Sequence, residues 1–277
     1  STAQQGHEEP LYDASSTVVG ADPRADHMQR LIPGGMASWL ANIEPISRDW
    51  TGTASVVVYT RAPSNYELGA NGIHHGTFRF EKGSPLLQSE KSIEARFQGH
   101  SNGNSAKFEW RIQAFSALHQ DFIALGPSAT FAPISHAGQV YTFTAVNAFR
   151  TGLEASVSTS QGAWLASADG SLLGQWDTST GLGLPFTTPA QVYSTIGRNL
   201  GKNHQLKVAC RAIADAKLTA RNESPTEGAL LWELAWSFKQ KAGTWSMNIH
   251  NISNTAWLDH TSAYRALGLV AQGRWMQ

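Results

Sequence analysis

The sequence predicts an all-β protein, a β-sandwich or barrel, and within that class we expect a β-sandwich of jelly-roll type with about eight to eleven strands, one or two short helices and an extended N-terminal arm. From Trp50 onward, apolar and polar residues alternate with a period of two, and polar turn clusters, among them "STSQG" and "SADG", separate the alternating segments. The chain has 10 Trp, 11 Phe and 6 Tyr, and only 15% of its residues are charged. Such a composition suits strands and is poor for exposed helices.

The chain divides into an arm at residues 1–34 and one jelly-roll domain at residues 35–277. The arm is polar, leans acidic and shows little periodicity, as extended segments do. The run "LIPGGMASWLANI" at 31–43 predicts a short helix after Gly34 and Gly35. No internal repeat or linker divides the remainder.

Eight segments carry the strand pattern. In residues 106–115, Phe108, Trp110, Ile112 and Ala114 share one face while charged and amide side chains occupy the other, which indicates an antiparallel strand with one buried side. The eight segments are 53–62, 76–83, 92–100, 106–115, 139–146, 205–213, 230–240 and 244–252.

Two further elements follow from local signals. Thr188 as N-cap, Pro189 at the first helical position and Gly201 beyond the end predict a helix. The closing run from Arg265 to Met276 is interpreted as a last strand.

Composition excludes several classes of function. The formal net charge is zero, so no long-range attraction to nucleic acid or to an acidic membrane is expected. No stretch approaches the ~20 apolar residues of a membrane helix, and no membrane segment is predicted. The run "GRNLGKN" lacks the spacing of a phosphate-binding loop, and no other catalytic or cofactor motif is present. We therefore expect no enzyme activity, no cofactor and no metal.

Four residues could in principle bind a metal or take part in catalysis. His74 and His75 are adjacent, so on a strand they would point to opposite faces and would not chelate one metal ion together; polar loop residues are the better interpretation. Asp121, beside His119, reads as a turn rather than an acid site. Cys210 lies in an alternating run and reads as a buried structural thiol.

Aromatic residues supply the candidate interaction sites. Most tryptophans fall in strand patterns where core packing is the default, which leaves Trp164 and Trp176 as surface candidates. The predicted interaction residues are Trp164, Trp176, Tyr66, His74 and His75. A carbohydrate-binding β-sandwich that stacks sugars on Trp164, Trp176 and Tyr66 is the alternative function, and an enzyme using His74, His75 or Asp121 is a distant third.

The ends and two internal motifs carry a resemblance. The chain begins at Ser1 and ends at Gln277, and it contains "RDWTGTASVVVY" before a strand and "IHHGTFRFEKG" after it. This pattern resembles the capsid proteins of picornavirus-like viruses (Picornavirales), whose proteases cut at Gln/Ser junctions. The resemblance implies a structural coat protein of a non-enveloped positive-strand RNA virus, with Ser1 and Gln277 as polyprotein cleavage ends.

The same resemblance implies partners and a location. The subunit would assemble in the host cytoplasm, with sister capsid proteins and copies of itself, into the icosahedral shell of a virion. Contact with genomic RNA would be weak or indirect, because the arm is not basic. A host receptor is a further partner that the resemblance allows.

Overall fold

The computed structural model describes residues 10–12, 18–21, 35–43, 49–74, 76–77, 79–101, 108–132 and 138–277. Most of the predicted arm at 1–34 lies outside the described residues. Within it, β1 (Pro10–Tyr12) and β2 (Val18–Ala21) form a small antiparallel pair.

Strands account for most of the described chain. The helical elements are α1 (Asn65–Gly69) and one 3-10 helix (Ala263–Leu267). Within the described residues, no helix is both long and apolar enough to cross a membrane. The remaining strands are β3 (Gly35–Ile43), β4 (Trp50–Arg61), β5 (Asn71–His74), β6 (Arg79–Lys82), β7 (Glu90–Ser101), β8 (Phe108–Phe131), β9 (Gln139–Gln161), β10 (Trp164–Asp177), β11 (Gln191–Leu200), β12 (His204–Ile213), β13 (Ala229–Gln240), β14 (Gly243–His250) and β15 (Trp275–Met276).

These strands form one sheet in which sequence neighbours are spatial neighbours. The order runs β15-β14-β13-β12-β11-β10-β9-β8-β7-β4-β3, and every pair along this path is antiparallel. The hairpin of β5 and β6 joins at one end through a parallel contact of β6 with β9. The all-β prediction is confirmed. The jelly-roll prediction is wrong, because a jelly roll packs two sheets face to face and this meander is a single sheet.

The connections alternate between short and long. Turns of two or three residues join β9 to β10, β11 to β12 and β13 to β14, and six residues join β3 to β4 and β7 to β8. Thirteen residues separate β10 from β11, fifteen separate β12 from β13, and 28 residues that include α1, β5 and β6 separate β4 from β7. Because the strands are antiparallel, all the short turns lie at one end of the sheet and the long connections lie at the other.

The two faces of the sheet differ sharply in chemistry. Cross-strand partners share a face, so the register assigns each side chain to one side. One side, which we call the apolar face, carries Phe97, Ala114, Leu153, Leu172, Val192, Ile196, Val208, Leu234 and Ile249. The opposite side, which we call the polar face, carries Gln98, Gln113, Glu154, Ser171, Gln191, Tyr193, Arg211, Glu233 and Asn248.

The exposure of the two faces is the reverse of that in a water-soluble β-sandwich, where the apolar face is buried and the polar face is exposed. On the apolar face Leu172 is 56% exposed and Ile196 is 60% exposed. On the polar face Ser92 and Glu94 are buried. An apolar surface that extends across so many strands needs a covering partner, because soluble monomers seldom expose such patches.

A compact hydrophobic cluster lies at the long-connection end. Leu87, Ile123 and Phe143 are buried together, and Leu68 and Ala70, at and just after the end of α1, pack against them. Helix α1 starts at a capping box in which Ser64 and Glu67 exchange side-chain to backbone hydrogen bonds. The cluster holds the 62–89 connection against the extended ends of β8 and β9.

Several local predictions are wrong. The helix predicted after Thr188 is β11, the helix predicted in 31–43 is β3, and the run from Arg265 to Met276 contains part of the 3-10 helix and only a two-residue strand. The cluster "SADG", taken as a turn, lies inside β10. Cap-like residues and small polar residues occur in β10 and β11 because ladder pairing on both sides of these two strands overrides local propensity.

A glycine contact between two long connections yields a stability prediction. The Gly183 amide donates to the Thr219 carbonyl at 3.0 Å, and a Cβ at this position would lie 2.8 Å from the Leu218 carbonyl carbon. We expect Gly183→Ala to lower the free energy of unfolding by about 1–3 kcal/mol, since backbone cannot yield as a side chain does. Urea unfolding measures the change.

The matched control is Gly72→Ala, because a Cβ there meets no atom within 4 Å. Equal unfolding midpoints for both variants would contradict close packing of the 178–190 and 214–228 connections.

Candidate functional site

A cleft on the polar face is the first candidate site. It has a volume of about 640 Å³ and is lined by six consecutive strands, β8 through β13. The polar lining residues are Arg111, Gln113, Glu154, Ser156, Asp169, Ser171, Gln191, Tyr193, Arg211 and Glu233.

Charges of both signs line this cleft. Arg211 donates from Nε and Nη2 to the Gln191 side-chain oxygen at 3.1 and 2.7 Å, which fixes its guanidinium. The Tyr193 hydroxyl donates to Glu233 at 3.0 Å, and His250 Nδ1 lies 3.3 Å from the same carboxylate. The cleft thus presents oriented donors and acceptors that can bind a polar solute.

The second candidate is an assembly of long connections organised around Glu223. Its carboxylate is fully buried and accepts from Arg265 Nη2, the Phe186 amide and the Ala220 amide, each at 2.9 Å. These donors come from three different connections, 178–190, 214–228 and 251–274. A buried carboxylate with one ionic and two backbone donors is well satisfied, and loss of one partner from such a pair costs about 3–5 kcal/mol.

Arginine stacking extends this loop assembly to β6 and β9. The Arg79 guanidinium lies 4.4 Å from the Tyr141 ring centroid and 4.5 Å from that of Phe186, and these two rings stack on each other at 6.0 Å. Arg265 lies 5.5 Å from the Phe186 centroid. Burial lowers the pKa of Arg79. Cation-π contacts of this kind are stronger when desolvated, so they hold the loops together away from water.

His260 is the titratable group at the centre of the loop assembly. It is 1% exposed, and its Nδ1 faces Arg265 Nη1 at 2.7 Å and Thr226 Oγ1 at 3.1 Å. A guanidinium can only donate, so Nδ1 accepts and the neutral ring carries its proton on Nε2. Burial, with the Arg265 cation as the next cause, lowers the pKa of His260 below its usual 6.5.

A second polar network anchors α1. Arg61 pairs with Glu67 at 3.0 Å and with Glu90 at 2.7 Å, and the Tyr66 hydroxyl donates to Glu81. Burial and this contact with Glu81 raise the pKa of Tyr66 to about 12. The tyrosine predicted as a sugar-stacking residue is therefore held by a carboxylate inside the loop region.

The predicted interaction residues lie far apart. Trp164 starts β10 beside the short turns and is 52% exposed on the apolar face. Trp176 stands near the other end of the same strand, about 40 Å away along an extended chain, and stacks on Phe149 at 5.8 Å. His74 ends β5 and is exposed, while His75 lies outside the described residues. Tyr66, in α1, is at the long-connection end, so these residues form no common platform.

The remaining sequence candidates also have definite places. Asp121 adopts a positive φ of 57° in the bulge that interrupts the pairing of β8 with β9. Cys210 is half-buried on the apolar face, opposite Trp232. Gln277 exchanges two backbone hydrogen bonds with Asn248, and Ser1 lies outside the described residues. Among the described residues, no group of three or more His, Cys, Asp or Glu is arranged to hold a metal ion.

Comparison with known proteins gives a clear structural result. No family model matches the chain, and no curated protein matches its sequence. Among solved structures, the copper transporter OprC matches with a TM-score of 0.73 at 17% identity, covering 88% of this chain and 38% of its own. The FrpB iron transporter from Neisseria meningitidis matches at 0.63 and 15%, covering 86% and 37%. The siderophore receptor PirA from Acinetobacter baumannii matches at 0.60 and 14%, covering 86% and 39%.

The chain has the fold of part of these proteins. It spans less than two fifths of their length, and at these identities the likeness concerns fold alone.

This comparison corrects the functional predictions. The capsid assignment is wrong, and so are its sister subunits, genomic RNA and virion location, because the structural neighbours are transporters and receptors. The alternative function, a carbohydrate-binding β-sandwich, is wrong for the same reason. The neighbours are described as transporters and a receptor, which agrees with the prediction that the chain is not an enzyme. The role of Ser1 and Gln277 as cleavage ends stays a prediction that rested on the capsid resemblance.

Sequence reasoning missed most residues of the polar-face cleft. Glu154, Asp169, Tyr193 and Glu233 stand in alternation with apolar residues, and the strands that carry them lie within five consecutive strands of the sheet, β9 to β13. Alternation that continues through β9, β10 and β11 was the available signal. It was hidden because "STSQG" and "SADG" were read as loops and 188–201 as a helix.

The lowered pKa of His260 gives a pH prediction. The folded chain binds a proton on His260 less readily than the unfolded chain does. His260 therefore contributes its full stabilisation of the loop assembly above the usual pKa of 6.5, and this contribution decreases as the pH falls below 6.5. We expect faster amide exchange in 218–228 and 260–268 at about pH 5 than at about pH 7.5, after correction for intrinsic exchange.

His260→Asn keeps an acceptor near Nδ1 and removes the titration, so the pH slope should flatten even if absolute stability is lower. The control is His204→Asn, an exposed histidine at the opposite end of the sheet. An unchanged slope in His260→Asn would contradict this assignment.

Proposed function

We propose that the chain forms part of the wall of an outer-membrane β-barrel transporter for a metal or metal chelate, with its apolar face toward lipid and its polar face toward the lumen. The observation that carries this proposal is the continuous, exposed apolar face backed by a charged polar face. Transmembrane barrels show this dyad alternation, apolar outward and polar inward.

Strand lengths and connections support the same conclusion. A tilted strand needs about 9–11 residues to cross a bilayer, and β11 and β12 each have ten. Outer-membrane barrels have short turns on the periplasmic side and longer loops outside. The short turns beside β10 and β12 and the long loop assembly around Glu223 match that asymmetry.

The polar-face cleft supports a role in passage of a solute. Its lining offers guanidinium, carboxylate, amide and phenol groups on one face of the sheet. The neighbours are described as a copper transporter, an iron transporter and a siderophore receptor. A chelate with several oxygen atoms fits a lining of mixed charge better than an apolar solute does.

The first test distinguishes the two faces. Ile196 is 60% exposed on the apolar face, and Thr195 is its neighbour on the polar face. We expect Ile196→Lys to reduce insertion into bilayers, because a lysine toward lipid is costly, by up to about 2–4 kcal/mol at the midplane and by less toward the interfaces. Thr195→Lys, the matched control, should insert nearly as well as the original chain. Insertion is measured by protease protection after addition to lipid vesicles.

The result that would contradict the proposal is also specific. On a water-exposed surface, Ile196→Lys would be neutral for stability and would improve solubility. Normal folding of Ile196→Lys in detergent-free buffer, with no loss of insertion, would show that this face does not meet lipid.

A second test addresses transport. Arg211→Met removes a fixed guanidinium from the cleft, and Lys207→Met removes a cation from the same strand and face without lining the cleft. We expect about tenfold weaker uptake of a ferric siderophore or copper in Arg211→Met, from the lost charge-assisted hydrogen bonds. Uptake of radiolabelled metal by cells that carry either variant measures this. Equal uptake in both variants would contradict a role for the cleft.

A further inference from the structure

The short-turn end of the sheet is basic where it is formed by β9 to β14. Residues 158–166, 196–208 and 236–246, which surround the turns joining β9 to β10, β11 to β12 and β13 to β14, contain no Asp or Glu. They contain five basic residues, namely Arg198, Lys202, Lys207, Lys239 and Lys241. In a chain with 21 acidic and 21 basic residues, this local imbalance gives the end a positive field.

Exposed residues of this basic set lie in and beside the short turns. Lys202 and Lys241 lie in the turns and are exposed, and Arg198 is exposed on the apolar face. The Arg198 guanidinium lies 4.9 Å from the Trp164 ring centroid, which directs its charge along the edge. We call Arg198, Lys202 and Lys241 the basic rim.

Aromatic rings stand directly beside the basic rim on the apolar face. His204 stacks on Phe238 at 4.3 Å with an interplanar angle of 12°, and Trp236 lies parallel to Phe238 at 6.2 Å. Trp245, the cross-strand partner of Phe238, is 68% exposed. Amphipathic rings with a polar edge favour the boundary between water and hydrocarbon.

The opposite end is balanced in charge. Its connections 62–89, 178–190, 214–228 and 251–274 contain six acidic and six basic residues, and Asp215 pairs there with Lys217 at 3.1 Å. The aromatic band at the short-turn end therefore lies beside an excess of positive charge, whereas the connections at the opposite end have no such excess.

From this juxtaposition we propose that the basic rim and its aromatic band form a binding surface for the phosphate groups of anionic phospholipids in the membrane leaflet at the short-turn end. The apolar face continues into this band, so a lipid whose acyl chains lie on Ile196 and its cross-strand partner Val208 places its headgroup beside Arg198 and Lys202. The proposal rests on the proposed function, because it needs the apolar face to meet lipid.

The test uses the full chain and two kinds of vesicle, one of phosphatidylcholine alone and one with equal parts of phosphatidylcholine and phosphatidylglycerol. We expect tighter association with the anionic vesicles at low salt, and loss of that preference in about 1 M salt, where charges are screened beyond about 3 Å. Lys202→Gln with Lys241→Gln should reduce the preference about tenfold, since each cation near an anionic surface contributes several-fold. Vesicle flotation measures the partition.

The matched control is Lys82→Gln with Arg221→Gln, which removes two exposed cations from the long-connection end. This variant should keep the anionic preference. Insertion of both double variants into phosphatidylcholine vesicles should equal that of the original chain, which separates a lost lipid contact from a folding defect.

Each outcome bears on a different proposal. Failure of the original chain to insert into either vesicle would overturn the proposed function. Equal insertion into both vesicles, or an equal loss of preference in the two double variants, would overturn the lipid surface alone and leave the proposed function intact.

Discussion

The structure depends on one constraint, namely that strands with an apolar outer surface must satisfy their backbone hydrogen bonds from neighbouring strands. In hydrocarbon no water replaces a missing partner, and each unpaired group costs several kcal/mol. The meander from β3 to β15 meets this need by pairing each strand with the next along the chain. Side chains are then free to separate by face, because the ladder fixes which residues point to each side.

The loop assembly solves the same problem by different means. The 178–190, 214–228 and 251–274 connections form little regular sheet, so their amides need other acceptors. Glu223 supplies one carboxylate to two of these amides and to Arg265, and Asn251 accepts from the Thr255 amide and donates to the Thr255 carbonyl, each at 2.9 Å. Buried charge is costly, and it is retained here because several otherwise unpaired backbone groups depend on it.

Alternation in the sequence was enough to predict strands but not their arrangement. The pattern of 106–115 identifies two chemically different faces, yet it does not say which face is exposed, and the default of apolar residues inside leads to a sandwich. The expectation of no membrane segment considered only long apolar runs, and strands such as 205–213 never form one. β11 was missed because Thr188, Pro189 and Gly201 imitate helix boundaries. The contacts of Glu223 were missed because its partners Phe186 and Arg265 are 37 and 42 residues away in the sequence.

The two ends of the sheet differ because their connections differ in length. A two-residue turn such as Gly162 and Ala163 closes its hairpin with few residues, and the lysines in such turns, Lys202 and Lys241, are exposed. The long connections instead bury side chains, since Leu87 packs with Ile123 of β8 and Phe143 of β9, and Glu223 forms a buried ion pair with Arg265. Under the proposed function, a bilayer that covers the apolar face therefore meets a basic stretch at one edge and balanced charge in the connections at the other, which favours a single orientation of the chain.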